Sequence, residues 1–281
     1  QRRPARAGQL DTDRLQNGER EWERLDRDLF HRLEWEGTVA QLEEHLPDPD
    51  GSPHVLDAGG GAGRYSIWLA RQGYSVTLAE LSESQREIAR EKAREAGVAD
   101  SITVCAGDIR DLSFDDDAFD ATCCLGGPLS HVVDDAERER ATAELRRVTA
   151  PDGPVFVSVM GRLGFVMMTV QYAGREADNG GLPLLPALVE DGNLTAERAE
   201  AHGVEPIMAD CHFFRRAELA DLLSTAGLAV ESVTALEGVA GIRRTHFEEL
   251  GDDDSETIRE LNDLLRADRT MADLSPHMLA V

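Results

Sequence analysis

The hydrophobic positions of this chain change period as it proceeds, and the changes mark out its elements. Trp22, Leu25, Leu29 and Leu33, then Trp35, Val39, Leu42 and Leu46, recur at three-to-four spacing with charges between them. That period predicts two amphipathic helices broken near Gly37. Pro47 to Pro53 is turn-rich and leads into Val55-Leu56, which has the character of a buried strand. Tyr65 to Gln72 reads as a helix closed by Gly73, and Ser75 to Ala79 alternates as a strand ending in Glu80. Ser82 and Gln85 have capping-box spacing and open a helix to about Ala96. Ile102 to Cys105, Ala118 to Leu125 and Pro154 to Met160 are further strands, the last two separated by an amphipathic helix from Asp134 to Thr149. Strand and helix alternate, so an α/β fold with a doubly wound, largely parallel sheet is expected.

After Met160 the rhythm stops. Gly161 to His212 carries Phe165, Met167, Met168, Tyr172, a turn at Asn179-Gly180-Gly181, and Pro183 and Pro186 among leucines. A connection of that length is most economically a lid or cap. Its methionines suit an adaptable apolar pocket and equally suit ordinary packing. The rhythm resumes with a helix from Phe213 to Ala226-Gly227, a strand over Leu228 to Leu236, a helix over Ser255 to Ala267 and an apolar strand over His277 to Val281. The expected organisation is a helical segment (1–50) closing on the core, a ligand-binding half-sheet (51–161), a cap (162–212) and the rest of the same sheet (213–281).

Candidate chemistry centres on the turn after the first strand, Asp57-Ala58-Gly59-Gly60-Gly61-Ala62-Gly63. Such a turn brings backbone N–H groups close to a ligand. A dinucleotide fingerprint fails here, because Arg64 or Ser66 stands where its third glycine belongs. A phosphate-binding P-loop fails too, since the single lysine is Lys92, on another segment. Glu80, about 20 residues beyond the first strand, ends the next strand, where one carboxylate can accept from two ribose hydroxyls.

The acidic-x-Gly-x-Gly-x-Gly pattern from Asp57 to Gly63 resembles the first motif of class I S-adenosylmethionine (SAM) dependent methyltransferases. Asp108 and Ile109, after the third strand, match the family's adenine-contacting pair. Gly127-Pro128-Leu129-Ser130-His131-Val132 is similar to its Gly-Pro-Leu-Tyr-His-Leu string, with Ser130 in place of the aromatic residue. Arg147-Val148 with Pro151-Asp152-Gly153 matches a further passage, as do His212, Phe213, Phe214, Glu218, Leu219, Ala226 and Gly227. The likeness runs from Val55 to Val281. It implies a Rossmann-like doubly wound mixed sheet of seven strands, the last antiparallel. It also implies SAM as cofactor, S-adenosylhomocysteine as product, and a cofactor site formed by Asp57, Gly59, Gly61, Gly63, Tyr65, Glu80, Leu81, Asp108, Ile109, Leu125 and Gly126. His131 is the candidate base, or only a fixer of its loop. Trp22, Phe30, Trp35, Ser130, Tyr172 and Arg215 are candidates for the acceptor pocket, although the three aromatic residues of the N-terminal helices serve equally as packing. Methyl transfer from a sulfonium needs positioning and exclusion of water more than a metal, and no metal-ligand spacing is present.

Charge narrows the acceptor. There are 54 acidic and 29 basic residues, a formal net charge of -25. An acidic field repels phosphate backbones, so a small-molecule acceptor is expected and nucleic acid is disfavoured without being excluded. The surface resembles that of salt-adapted proteins, in which high salt weakens the same repulsion. The alternative within the same chemistry is a tRNA wobble-uridine carboxymethyl methyltransferase, which would need a basic groove of Arg162, Arg175, Arg215 and Arg216. The alternative from another class is a non-catalytic SAM-binding protein. Four cysteines in neither C-x-x-C nor zinc spacing, and no long apolar run, fit a cytoplasmic protein with no membrane partner.

Overall fold

The computed structural model describes residues 22–171, 181–205, 208–242 and 250–281. A 3₁₀ turn at Arg24–Asp26 precedes α1 (Leu29–His45). Then come β1 (His54–Ala58), α2 (Arg64–Gln72), β2 (Ser75–Glu80), α3 (Glu83–Glu95), β3 (Ile102–Ala106), β4 (Ala121–Cys124), α4 (Asp135–Val148) and β5 (Val155–Met160). The next segment holds α5 (Arg162–Gln171), α6 (Leu185–Asp191), β6 (Asn193–Leu194), α7 (Ala196–Ala201) and β7 (Cys211–His212). The chain closes through α8 (Arg216–Thr225), β8 (Val233–Ala235), α9 (Gly238–Ile242), α10 (Asp252–Leu265), α11 (Arg269–Leu274) and β9 (His277–Ala280).

Seven strands form one sheet in the order β3-β2-β1-β4-β5-β9-β8. The first five are parallel, and β9 is antiparallel to both neighbours. This is the Rossmann-like doubly wound sheet that the alternation predicts. Successive residues face opposite layers: Leu56, Val157 and Val159 pack with Leu145, Phe214 and Leu219 on one side, while Val55 and Phe156 pack with Leu42, Leu69 and Leu279 on the other. Both faces are covered, which is why the strand runs are continuously apolar. Chain order reverses between β1 and β4, so their C-terminal ends diverge and leave the crevice in which ligands of such sheets bind.

The helix break expected near Gly37 lies elsewhere among the described residues. Gly37 lies inside α1, and a Cβ there would sit 3.3 Å from Leu236 Cδ2. The glycine permits close packing against the end of β8, and the break falls instead at Asp28, whose side chain caps α1 by accepting from His31 N at 3.0 Å. The helix expected from Phe213 starts only at Arg216, because Phe213 and Phe214 are held extended by backbone bonds to Gly192 O and Met160 O. The strand expected over Leu228 to Leu236 is confined to Val233–Ala235, and the short α11 is not anticipated at all. Residues between β5 and α8 gather their own apolar cluster of Leu184, Leu188, Leu194, Cys211 and Phe213, against which Met160, Phe165 and Met208 pack. Among the described residues, no helix is long and apolar enough to cross a membrane.

The start of β9 is fixed by close backbone approach. A Cβ on Gly164, in the first turn of α5, would lie 2.3 Å from the Ser275 carbonyl carbon. Gly164→Ala is therefore expected to cost about 2 kcal/mol through overpacking, read as a lower urea midpoint with unchanged slope; an unaltered midpoint would show that α5 and the Ser275 loop are not in tight contact.

Candidate active site

The site is built from strand ends. β1 runs out at Ala58, and the chain turns through Gly59, Gly61 and Gly63 with φ of 75°, 54° and 84°. These values lie in the left-handed region that favours glycine. The turn is also squeezed: a Cβ on Gly59 would fall 2.6 Å from Pro128 Cγ, and one on Gly60 would fall 2.6 Å from Asp57 Oδ2. Glu80, at the tip of β2, holds the turn in place. Its Oε2 accepts from Gly61 N at 3.0 Å and its Oε1 from Ser82 N at 2.7 Å. A carboxylate oxygen can accept twice, so acceptor capacity is left over. Beyond β3, Asp108 is gripped by Arg110, whose Nε and Nη2 donate at 2.9 and 2.6 Å, and this contact holds the Asp108 carboxyl below its ordinary range.

A cavity of about 1080 Å³ opens over these ends. That is at the upper limit of ordinary ligand pockets, large enough for two ligands side by side. Of the sequence-derived candidates, Gly59, Gly61, Tyr65, Glu80, Leu81, Asp108, Ile109, Leu125 and Gly126 line it, with His131, Trp22 and Phe30. Others stand behind the wall. Asp57 is fully buried beneath the glycine turn, and Gly63 packs on Ala89 and Leu78. Trp35 stacks on Tyr65 with centroids 5.0 Å apart. Ser130 is buried and accepts from Met160 N at 2.9 Å, so it fixes the end of β5. Arg215 is turned to Asp273, with both contacts at 3.1 Å. Tyr172 and Arg175 lie outside the described residues.

His131 ends the 3₁₀ turn Pro128–His131. Its Nδ1 is 3.1 Å from the Asp210 backbone carbonyl. A carbonyl only accepts, so Nδ1 carries the proton of the neutral ring and Nε2 keeps its lone pair. This is the tautomer a general base requires.

Several wall residues escape the sequence reading. Arg64, the first residue of α2, donates to Asp26 at 2.7 and 2.6 Å and to Trp22 O at 2.8 Å, and its guanidinium lies 4.9 Å from the Trp35 ring centroid. It pins the Trp22–Asp26 arm against α2, with Trp22, Arg24 and Leu25 lining the cavity. Met160, Met168 and Met208 form an apolar side. His277 lines the cavity because β9 is antiparallel: its first residue pairs with Met160, the last of β5, at the edge where the ligand ends of the parallel strands lie. That placement was available in principle, since the start of an antiparallel strand shares an edge with the C-termini of parallel ones. Met168 belongs to the segment whose methionines suit an apolar pocket, whereas Arg64, Met160 and Met208 carry no comparable signal.

Comparison with known proteins fits this geometry. A methyltransferase-domain family model matches residues 55–153. The chain is 31% identical over 172 residues to methyltransferase GfsG of Streptomyces halstedii, covering 57% of this chain and 58% of that protein. Residues 55–153 therefore resemble a methyltransferase domain. The chain is also 30% identical over 152 residues to the ubiquinone/menaquinone biosynthesis C-methyltransferase UbiE of Yersinia pestis, covering 53% of this chain and 55% of UbiE. The matches thus span only a little over half the length of these curated relatives. A SAM-dependent methyltransferase structure from Mesorhizobium loti superposes with TM-score 0.53 at 21% identity, covering 91% of this chain and 98% of that one, which shows a shared fold. SAM is the cofactor that the methyltransferase-domain match implies, and the donor set suits it: carboxylates at two strand tips, an apolar stretch of Leu81, Ile109 and Leu125, and three consecutive glycines at 59–61.

Asp57 supplies a pH test of the turn. Burial pushes its carboxyl up to about 6, Ser66 Oγ donating at 2.6 Å opposes the shift, and the Glu80 charge adds to it. Its Oδ1 has no hydrogen-bond partner among the described residues. A carboxyl raised from 3.8 to about 6 favours the fold at acid pH, and this contribution is lost as pH rises through about 6. Relative to wild type, Asp57→Asn should therefore gain roughly 1 to 2 kcal/mol between about pH 5 and about pH 8. Parallel urea curves at both pH values would exclude the buried-carboxyl account.

Proposed function

We propose that the chain transfers a methyl group from SAM to a small-molecule acceptor by in-line displacement. The observation that carries this reading is the convergence of the Gly59–Gly61 turn, Glu80 and Asp108 with His131 on one cavity. Glu80 would accept from the ribose hydroxyls, Asp108 from the adenine amino group, and Leu81, Ile109 and Leu125 would cover the ring. Gly59, Gly61 and Gly126 leave room for the methionine part, with Asp57 acting from beneath by shaping the turn. Bound SAM supplies a methyl group on a cationic sulfur that leaves readily. The protein's own work is positioning and dehydration. Met160, Met168 and Met208 keep the acceptor side dry, the Trp22–Asp26 arm walls the cavity, and His131 Nε2 takes the proton from an oxygen or nitrogen nucleophile.

A small acceptor is favoured over RNA by the fate of the arginines that would form a basic groove. Arg162 is buried and donates to Phe213 O and Glu218, and Arg215 is paired with Asp273. The net charge of -25 points the same way.

Calorimetry with S-adenosylhomocysteine, followed by turnover on an acceptor found by screening, tests the assignment. Glu80→Ala is expected to weaken S-adenosylhomocysteine by at least about tenfold, through two lost charge-assisted hydrogen bonds. His131→Ala is expected to lower kcat about a hundredfold while leaving that affinity within about twofold. Unchanged affinity in the first variant would move the cofactor elsewhere, and unchanged kcat in the second would remove His131 from the mechanism.

A further inference from the structure

The proposed transfer leaves a buried ion cluster unused, on the β5–β9 side of the cavity. His277 Nδ1 donates to Glu237 Oε1, and its backbone N donates to Glu237 Oε2 at 2.9 Å. Ser275 Oγ donates to the same Oε2 at 3.1 Å. Glu34 Oε2, from α1, lies 3.8 Å from His277 Nδ1, and Arg24 grips both Glu34 oxygens with its guanidinium fork. Glu237 and Glu34 are 0% and 2% exposed. The nearest further groups are Tyr65 on α2 and His31 on α1, each of which feels the Glu34 charge, and His31 is itself held by Asp28 and Arg27.

The charges in this cluster balance with a proton on the ring. Two carboxylates are offset by Arg24 and an imidazolium. A neutral His277 would leave a surplus negative charge out of water, which is strongly unfavourable. Burial alone would pull the imidazole down, but Glu237, then Glu34, and the Glu237 hydrogen bond raise it to about 9. The oxygen and nitrogen atoms of Glu34, Glu237 and His277 lie within 4.8 Å of one another, a spacing that could admit a cation. That role is filled already, because Arg24 takes both Glu34 oxygens, and His277 and Ser275 take those of Glu237.

With Nδ1 committed to Glu237, the other side of the ring is what the cavity sees. Nε2 makes no hydrogen bond among the described residues, and the ring is 21% exposed on a wall it shares with Met160 and Met168. We propose that His277 is an acceptor-binding residue that donates its Nε2–H to an anionic oxygen of the methyl acceptor, so that the acceptor is an organic acid, enolate or phenolate rather than an amine. This rests on the methyl-transfer reading of the cavity and deepens it. The two histidines divide the work: His131 offers a lone pair to the nucleophile and His277 a proton to the charge beside it. The methionine side lowers the local dielectric, so the contact is stronger there than in water, and a cationic acceptor meets like charge.

The test uses the intact protein saturated with S-adenosylhomocysteine, with benzoate and benzylamine as probes. Benzoate is expected to bind at least about tenfold more tightly than benzylamine, the worth of one hydrogen bond to a charged group. His277→Gln should abolish that preference while leaving S-adenosylhomocysteine affinity within about twofold. On the wild-type protein, ¹⁵N-histidine spectra should show His277 protonated on both nitrogens up to about pH 9. Benzylamine binding as well as benzoate, a His277 transition near the ordinary 6.5, or displacement of His277 resonances by magnesium would overturn the proposal. Absence of S-adenosylhomocysteine binding would overturn the cofactor reading itself, so the two failures are distinguishable.

Discussion

The hydrogen bond from Gly61 N–H to Glu80 Oε2, 3.0 Å long, joins the turn after β1 to the tip of β2. It sets two constraints at once. The turn can take this path only with glycine between Asp57 below and Pro128 across, and Glu80 must end its strand one residue beyond Ala79, the partner of Ala58 in the parallel register. Once those are met, the remaining strand ends fall into place around the same crevice: β3 delivers Asp108, β4 delivers Leu125 and Gly126, and β5 with β9 delivers Met160 and His277. The half of the cavity proposed for the cofactor is thus a consequence of sheet order and register. The same bond occupies part of the carboxylate that an adenosyl ligand would use, so the turn is held in shape before any ligand arrives.

The two halves of the cavity differ in how the protein manages charge. On the side proposed for the cofactor, carboxylates are held by neutral backbone donors or by one arginine, and Asp57 sits beneath them with an oxygen that has no hydrogen-bond partner among the described residues. On the β5–β9 side, Glu34 and Glu237 are nearly excluded from solvent and are compensated by Arg24 and His277. The contrast matters for chemistry. A cationic donor group would be accommodated where carboxylates are in excess, and the proposed anionic acceptor where the His277 imidazolium faces the cavity.

Much of this was legible in the sequence where local pattern and position coincide. The β/α alternation to Met160 gave the parallel half of the sheet. The failed dinucleotide spacing at Arg64 and Ser66, together with Glu80 and Asp108 at successive strand ends, pointed to the right cofactor class. What the pattern could not show are contacts set by tertiary approach. Gly37 looks like a helix break and is instead a packing contact with Leu236. Arg64 is one of many arginines until its partner Asp26 is in place. Glu34, Glu237 and His277 are separated by long stretches of chain and meet only because α1 lies against the end of β8 and the start of β9. Asp57 and Gly63 have the expected spacing, yet both stand behind the turn that they shape.

The central claim is that these strand ends form one adenosyl-sulfonium site with an acceptor chamber beside it. A crystal structure of the protein grown with S-adenosylhomocysteine tests this most directly. The account predicts ribose hydroxyls on Glu80, the adenine between Leu81 and Ile109 with its amino group toward Asp108, and the sulfur facing the chamber between His131 and His277. Adenosyl density lying away from Glu80 and Asp108, or a sulfur turned from that chamber, would contradict it.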